Sequence, residues 1–374
     1  MKTHLQERLG VPESIVYSAE RYFEDLVEQV RSNIRKSNRE EQYYFLITPA
    51  VPYRVGDEQI KTVKTTFVVT PKSDIEKIDY VQISTKSFIE PIDTSPGLAK
   101  TISNIQSPAI TINLVVPSDY VPYDVVNYLI NNEPELVASL SHEFKHIYDE
   151  HKKGFEKLST RTQYTSSRDM MDFDIDAFEY LGYYIYYTHL IEALVRPTET
   201  LAYLKQNKIS KKNFVDFLKK IITYQTLVVI NNFSMDKFRE ELKKNNMGQI
   251  ENYLKKTKPN LNPNLSEDAK IDLALVDWYE KFVTEDIRKY SVLLANNDFD
   301  LLSLPENKRK ALQRHVNKLT RFANNPLEYF SYIEEYLQKV SGETLKKIYR
   351  LYDLLDDEQT DEYLLQKKIS DRRK

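Results

Sequence analysis

The stretch at residues 135–151, ELVASLSHEFKHIYDEH, constrains the fold of this chain more than any other. Leu136, Val137, Leu140, Phe144 and Ile147 recur at three- and four-residue spacing, so a helix through it carries an apolar stripe that has to be buried. Glu135, Ser139, His142, His146 and Asp149 fall roughly opposite. At about 100° of rotation per residue, His142 and His146 lie about 40° apart on one face, so both imidazoles can reach a single ion. With Glu143 they form an H-E-x-x-H. The glutamate, turned about 100° from His142, can approach a water on a metal without taking a coordination position itself.

The absence of cysteine excludes disulfides, thiolate ligands, iron–sulfur clusters and cysteine nucleophiles. Any metal must be held by His, Asp or Glu. Only seven glycines occur and none are clustered, which removes phosphate loops and dinucleotide fingerprints from consideration. With 374 residues, 41% hydrophobic and 29% charged, the chain has the usage of a soluble globular protein and the length for two domains. Its formal net charge of −3 offers no attraction to nucleic acid or anionic membrane, so neither is expected as a partner. No apolar run approaches the length of a membrane span and MKTHLQERLG lacks a secretory signal, so a cytoplasmic location is expected.

Read in order, the chain predicts an amphipathic helix over 14–41, with Ile15, Tyr22, Phe23, Leu26, Val27, Val30 and Ile34 on one stripe. Strands follow at 44–48, 65–70, 80–89 and 110–116, all β-branched or aromatic runs bounded by turn residues. A short helix over 123–131 leads to the motif helix, with Pro134 near its first turn. Residues 157–169 read as a loop, and 172–195 as one helix, apolar on nearly every side and therefore buried. Glu192 in that setting is costly to bury unless it is paired or binds a metal. From 205 to 374 the chain reads as helices broken at 257–265, 295–304, 323–326 and 341–342, with Ser303 to Glu306 as a capping box. Tyrosine stripes such as Tyr329, Tyr332 and Tyr336 read as packing surface. The fold class is α+β: helix, small mixed sheet, motif helix and second buried helix over 1–204, then an all-α region over 205–374.

Two histidines do not complete a catalytic zinc site, which takes three protein ligands and an open position. Position 152, where a third histidine of an extended motif would fall, is Lys152. His142-Glu143-x-x-His146, the preceding sheet and the buried downstream helix resemble the zincin metallopeptidases over roughly residues 14–204, and among them the gluzincin type, whose third ligand is a glutamate on a second helix. Glu192 matches that glutamate best, with Arg196 where better known members have an aspartate. Glu199, just after Pro197 at what reads as the start of a new helix, is the second candidate. Asp149 is expected to support the ligands from behind, and His189 to be a packed histidine or to point into the site.

The resemblance implies one Zn2+ per chain held by His142, His146 and Glu192, with Glu143 as general base in peptide-bond hydrolysis. The substrate is a peptide or protein lying extended against an edge strand at 110–116. The long helical half, low glycine and abundant tyrosine also resemble zincin-like proteins encoded among bacteriophage virion genes. That resemblance implies a catalytically idle assembly component, a tail or ring protein located in a virion.

Overall fold

The computed structural model describes residues 9–34, 43–47, 54–55, 58–59, 64–78, 80–86, 109–153, 170–284, 287–288, 291 and 306–355. The architecture is α+β, and by compactness the chain groups into two units, each discontinuous in sequence. Unit 1 takes residues 1–152, 195–221 and 347–374, and unit 2 takes 153–194 and 222–346. The sequence places a single boundary after residue 204 instead.

Unit 1 opens with α1 (Glu13–Asn33), which ends before the 35–41 portion of the expected helix; that portion lies outside the described residues. Strands β1 (Tyr43–Ile47), β4 (Lys64–Lys72), β5 (Tyr80–Lys86) and β6 (Ala109–Pro117) form a mixed sheet in the order β1-β4-β6-β5. A separate two-stranded ribbon joins β2 (Arg54–Val55) to β3 (Glu58–Gln59). Period-two alternation places Phe67 and Val69 of β4 opposite Ile112 and Leu114 of β6 on one face. That face packs on the apolar stripe of α1 and on two further helices, α2 (Pro122–Asn131) and α3 (Glu133–Lys153). Phe144 of α3 meets Tyr22 of α1 edge-on, ring centroids 5.1 Å apart.

The register corrects one expectation. β6 is paired along its length with β4 on one side and β5 on the other, so it has no edge to offer an extended peptide. The alternation of Ile110, Ile112 and Leu114 reports which face is buried, and says nothing of lateral neighbours, which are set by distant strands.

The loop expected over 157–169 lies outside the described residues; further along the chain come α4 (Asp176–Thr188) and α5 (Leu190–Gln206). The single helix expected over 172–195 is therefore two. His189 breaks it with extended backbone (φ −53°, ψ 139°), after Thr188 has turned its hydroxyl back to the carbonyls of Tyr184 and Ile185. Pro197, expected to start a new helix, lies inside α5. It withholds the amide that would bond the Ala193 carbonyl, yet the helix continues to Gln206.

The remaining helices are α6 (Phe214–Leu218) in unit 1 and, in unit 2, α7 (Ile222–Asn231), α8 (Met235–Glu241), α9 (Met247–Thr257), α10 (Glu267–Tyr279) and α11 (Glu306–Arg321). The last, α12 (Pro326–Tyr349), crosses the division near its end. Breaks expected at 257–265 and 323–326 separate helices as predicted; the one at 295–304 and the capping box at Ser303 lie outside the described residues, apart from Glu306. The break expected at 341–342 is absent, because α12 runs through it. Ser341 bonds back to the Leu337 carbonyl, and Gly342 lets Asn231 approach so closely that a Cβ would sit 2.9 Å from Asn231 Oδ1. No described helix is long and apolar enough to cross a membrane.

Candidate metal centre

The two faces of α3 have separate fates. Leu136, Val137, Leu140, Phe144 and Ile147 enter the core of unit 1, while His142, Lys145, His146 and Asp149 point the other way. This polar face is covered as well, since His142 and His146 are each only 8% exposed. Their rings meet edge-on with Nε2 of one 3.1 Å from Nε2 of the other.

Helix α5 supplies the carboxylates. The division into units falls between Leu194 and Val195, inside this one helix, which carries both Glu192 and Glu199. Glu192 stands in its first turn, fully buried, within reach of the Tyr186 hydroxyl at 3.4 Å from its Oε1. The positive end of the helix dipole favours a carboxylate there. One ligand atom from each of His142, His146 and Glu192 lies within 4.8 Å of the others, so the three form a buried group that can hold a metal ion.

Glu199, two turns farther along α5, occupies a different position. Its Oε2 lies 3.0 Å from Nδ1 of His142 and accepts from Nη1 of Arg196 at 2.9 Å. A carboxylate on Nδ1 fixes the tautomer with the proton at that nitrogen and turns the Nε2 lone pair toward His146 and Glu192. Of the two glutamates the sequence left open, one belongs to the cluster and the other orients a histidine of the cluster. Arg196, read from the sequence as a departure, is the residue that compensates Glu199.

Asp149 was expected behind the ligands, and forms an ion pair with Lys145 at 2.6 Å, both side chains buried. His189 is buried at the break between α4 and α5. Two tyrosines escaped the sequence reading. Tyr186 reaches Glu192, and Tyr203 lies one turn beyond Glu199, where burial first and then the Glu199 and Glu135 carboxylates push its hydroxyl far above the usual tyrosine range. Tyr203 is thus a neutral hydroxyl at any ordinary pH. The i,i+4 spacing from Glu199 was its one available signal. Glu143 is partly exposed, unlike its neighbours Ser141, His142 and Phe144.

No family model matches this chain, nor does any curated protein or solved structure.

Proposed function

We propose that the chain is a zinc-dependent peptidase with a zincin-like site, in which His142, His146 and Glu192 hold the ion and Glu143 is the general base. The observation that carries this reading is the 3.1 Å approach of two Nε2 atoms beside a buried carboxylate. Two nitrogens bound about 2.05 Å from a tetrahedral ion lie roughly 3.3 Å apart, close to that spacing. A set of two imidazoles and one carboxylate, in a chain without thiols, suits zinc.

Zinc, when bound, supplies a Lewis acid that lowers the pKa of water toward about 7 and polarises a carbonyl. The side chains supply the rest. Glu143 follows His142 directly, about 100° around α3, and is partly exposed; as general base it would take a proton from the attacking water and pass it to the leaving amine. Glu199, its charge matched by Arg196, holds the His142 ring in one tautomer. Tyr186 bears on the orientation of the Glu192 carboxylate.

One observation favours a second reading. His142 and His146 are 8% exposed and Glu192 0%, and closed zinc sites are characteristically structural. The ion would then fasten α3 to α5 in a scaffold or assembly component, such as a virion part. The Glu143→Gln variant separates the two. A peptidase loses all cleavage of a peptide library in this variant and keeps one zinc per chain. A scaffold cleaves nothing even in its native form, and light scattering shows it assembling into rings or shells.

A further inference from the structure

We propose that the exposed face of α11 docks the phosphate backbone of nucleic acid, independently of the metal centre. The helix contains six lysines and arginines against one acid, Glu306. Lys310, Arg314, Lys318 and Arg321 are exposed. At about 100° and 1.5 Å per residue, these four fall within an arc of about 80° and form a row about 16 Å long. The apolar side of the helix is already used, because Val316 and Leu319 are buried.

Several other basic residues of unit 2 are neutralised by carboxylates, and the row differs from these. Arg239, Lys243, Lys258 and Lys270 are matched to Asp272, Asp268, Asp277 and Glu251. In α11, Lys310 pairs with Glu306 at 2.7 Å, but among the described residues no carboxylate lies within 4.0 Å of Arg314, Lys318 or Arg321. Lys318 and Arg321 in the last turn suit the helix dipole, but Lys310, Arg314 and Lys318 at i,i+4 spacing repel one another. A polyanion reverses that sign.

Two of the four are also held in place before any partner arrives. Arg314 Nε donates to the Lys310 carbonyl at 3.2 Å, and Lys318 Nζ sits 3.9 Å over the Tyr332 ring, on which Phe322 stacks at 5.5 Å. Ordering them in advance lowers the entropic cost of binding. A lipid surface suits the helix less well, since membrane-lying helices insert an apolar face and this one has buried its own. Duplex DNA presents one charge per about 1.7 Å of axis, so a 16 Å row meets several phosphates at once. The net charge of −3 is a sum over the whole chain and hides this local excess.

The test is fluorescence anisotropy of the full chain with a labelled oligonucleotide over a series of salt concentrations. Binding should weaken linearly on a log–log plot with a slope of about −3 to −4, from four cations at about 0.7 to 0.9 each. The Arg314→Glu, Lys318→Glu double variant should bind at least about tenfold more weakly with a slope shallower by about 2. Circular dichroism should show its helix content unchanged; if charge reversal perturbs folding, the Arg314→Gln, Lys318→Gln variant gives the same readout. No binding at about 50 mM salt, or a slope unmoved in the folded variant, would overturn the proposal. So would equal affinity for polyglutamate or for phosphatidylserine vesicles, because the face would then not select nucleic acid.

Discussion

The Nδ1 atom of His142 lies 3.0 Å from Oε2 of Glu199, and this contact separates two glutamates that compete for one coordination position in the sequence. A ring that donates from Nδ1 keeps its Nε2 lone pair for an ion, and Glu192 is the carboxylate beside that lone pair. Arg196, between them on the same helix, pairs with Glu199, the one outside the cluster.

Glu199→Ala should therefore weaken zinc binding by about 10- to 100-fold while one zinc per chain can still be loaded at excess metal. Glu199→Gln, whose carbonyl oxygen still accepts from Nδ1, should lose less. Glu192→Ala should fail to retain stoichiometric zinc at all. Competition against a chromogenic chelator measures all three, and equal losses for Glu192→Ala and Glu199→Ala would refute the division of roles.

Zinc should also raise thermal stability, since His142 and His146 are brought to Glu192 only in the folded chain. The expected gain is about 4 kcal/mol when free zinc stands a thousandfold above its Kd, growing with the logarithm of concentration. His146→Ala should abolish that dependence. A melting temperature indifferent to zinc in the native chain would mean that the cluster holds no ion.

How much of this was legible in the sequence depended on whether the signal was local. The 3.6-residue period of α3 sufficed to send Leu140 and Phe144 into the core and to bring His142 and His146 together, because both outcomes follow from one helix. Alternation likewise identified β4 and β6, but not that β6 lies between β4 and β5, since sheet order is decided by pairings far apart in the chain. The break at His189 was hidden for another reason. Residues 172–195 are apolar on nearly every side, so no change of phase marks where α4 ends and α5 begins. Pro197 misled in the opposite direction, suggesting a helix start where packing carries one helix through. Glu199 could be named as a candidate, but its role rests on His142, fifty-seven residues away.

The buried pair of Lys145 and Asp149, 2.6 Å apart beside the histidines, should behave asymmetrically under mutation. Lys145→Met removes a cation 2.6 Å from a buried carboxylate and should cost about 3 to 5 kcal/mol. Adding Asp149→Leu to the same chain should recover most of that loss, because the apolar pair carries no desolvation penalty. Urea unfolding of both single variants and the double variant closes the cycle. A double variant as unstable as the sum of the singles would show that the two side chains are not coupled and would refute the prediction.

Two glycine-to-alanine changes, both inside helices of unit 2, should have opposite signs. At Gly182 in α4 a new Cβ would fall 2.5 Å from the carbonyl oxygen of Met170, 2.6 Å from its carbon and 2.9 Å from the amide nitrogen of Met171. All three are backbone atoms, so the chain at 170–171 has to move, and the overlap outweighs the roughly 1 kcal/mol by which alanine is the better helix former. Gly182→Ala should destabilise by about 1 to 3 kcal/mol. At Gly248 in α9 nothing lies within 4 Å of the added carbon, so only the propensity remains. Gly248→Ala should be neutral or stabilise by up to about 1 kcal/mol. Thermal melts of the two variants, followed by circular dichroism, test the close packing of α4 against 170–171 directly: a stabilised Gly182→Ala would mean that this approach is not made.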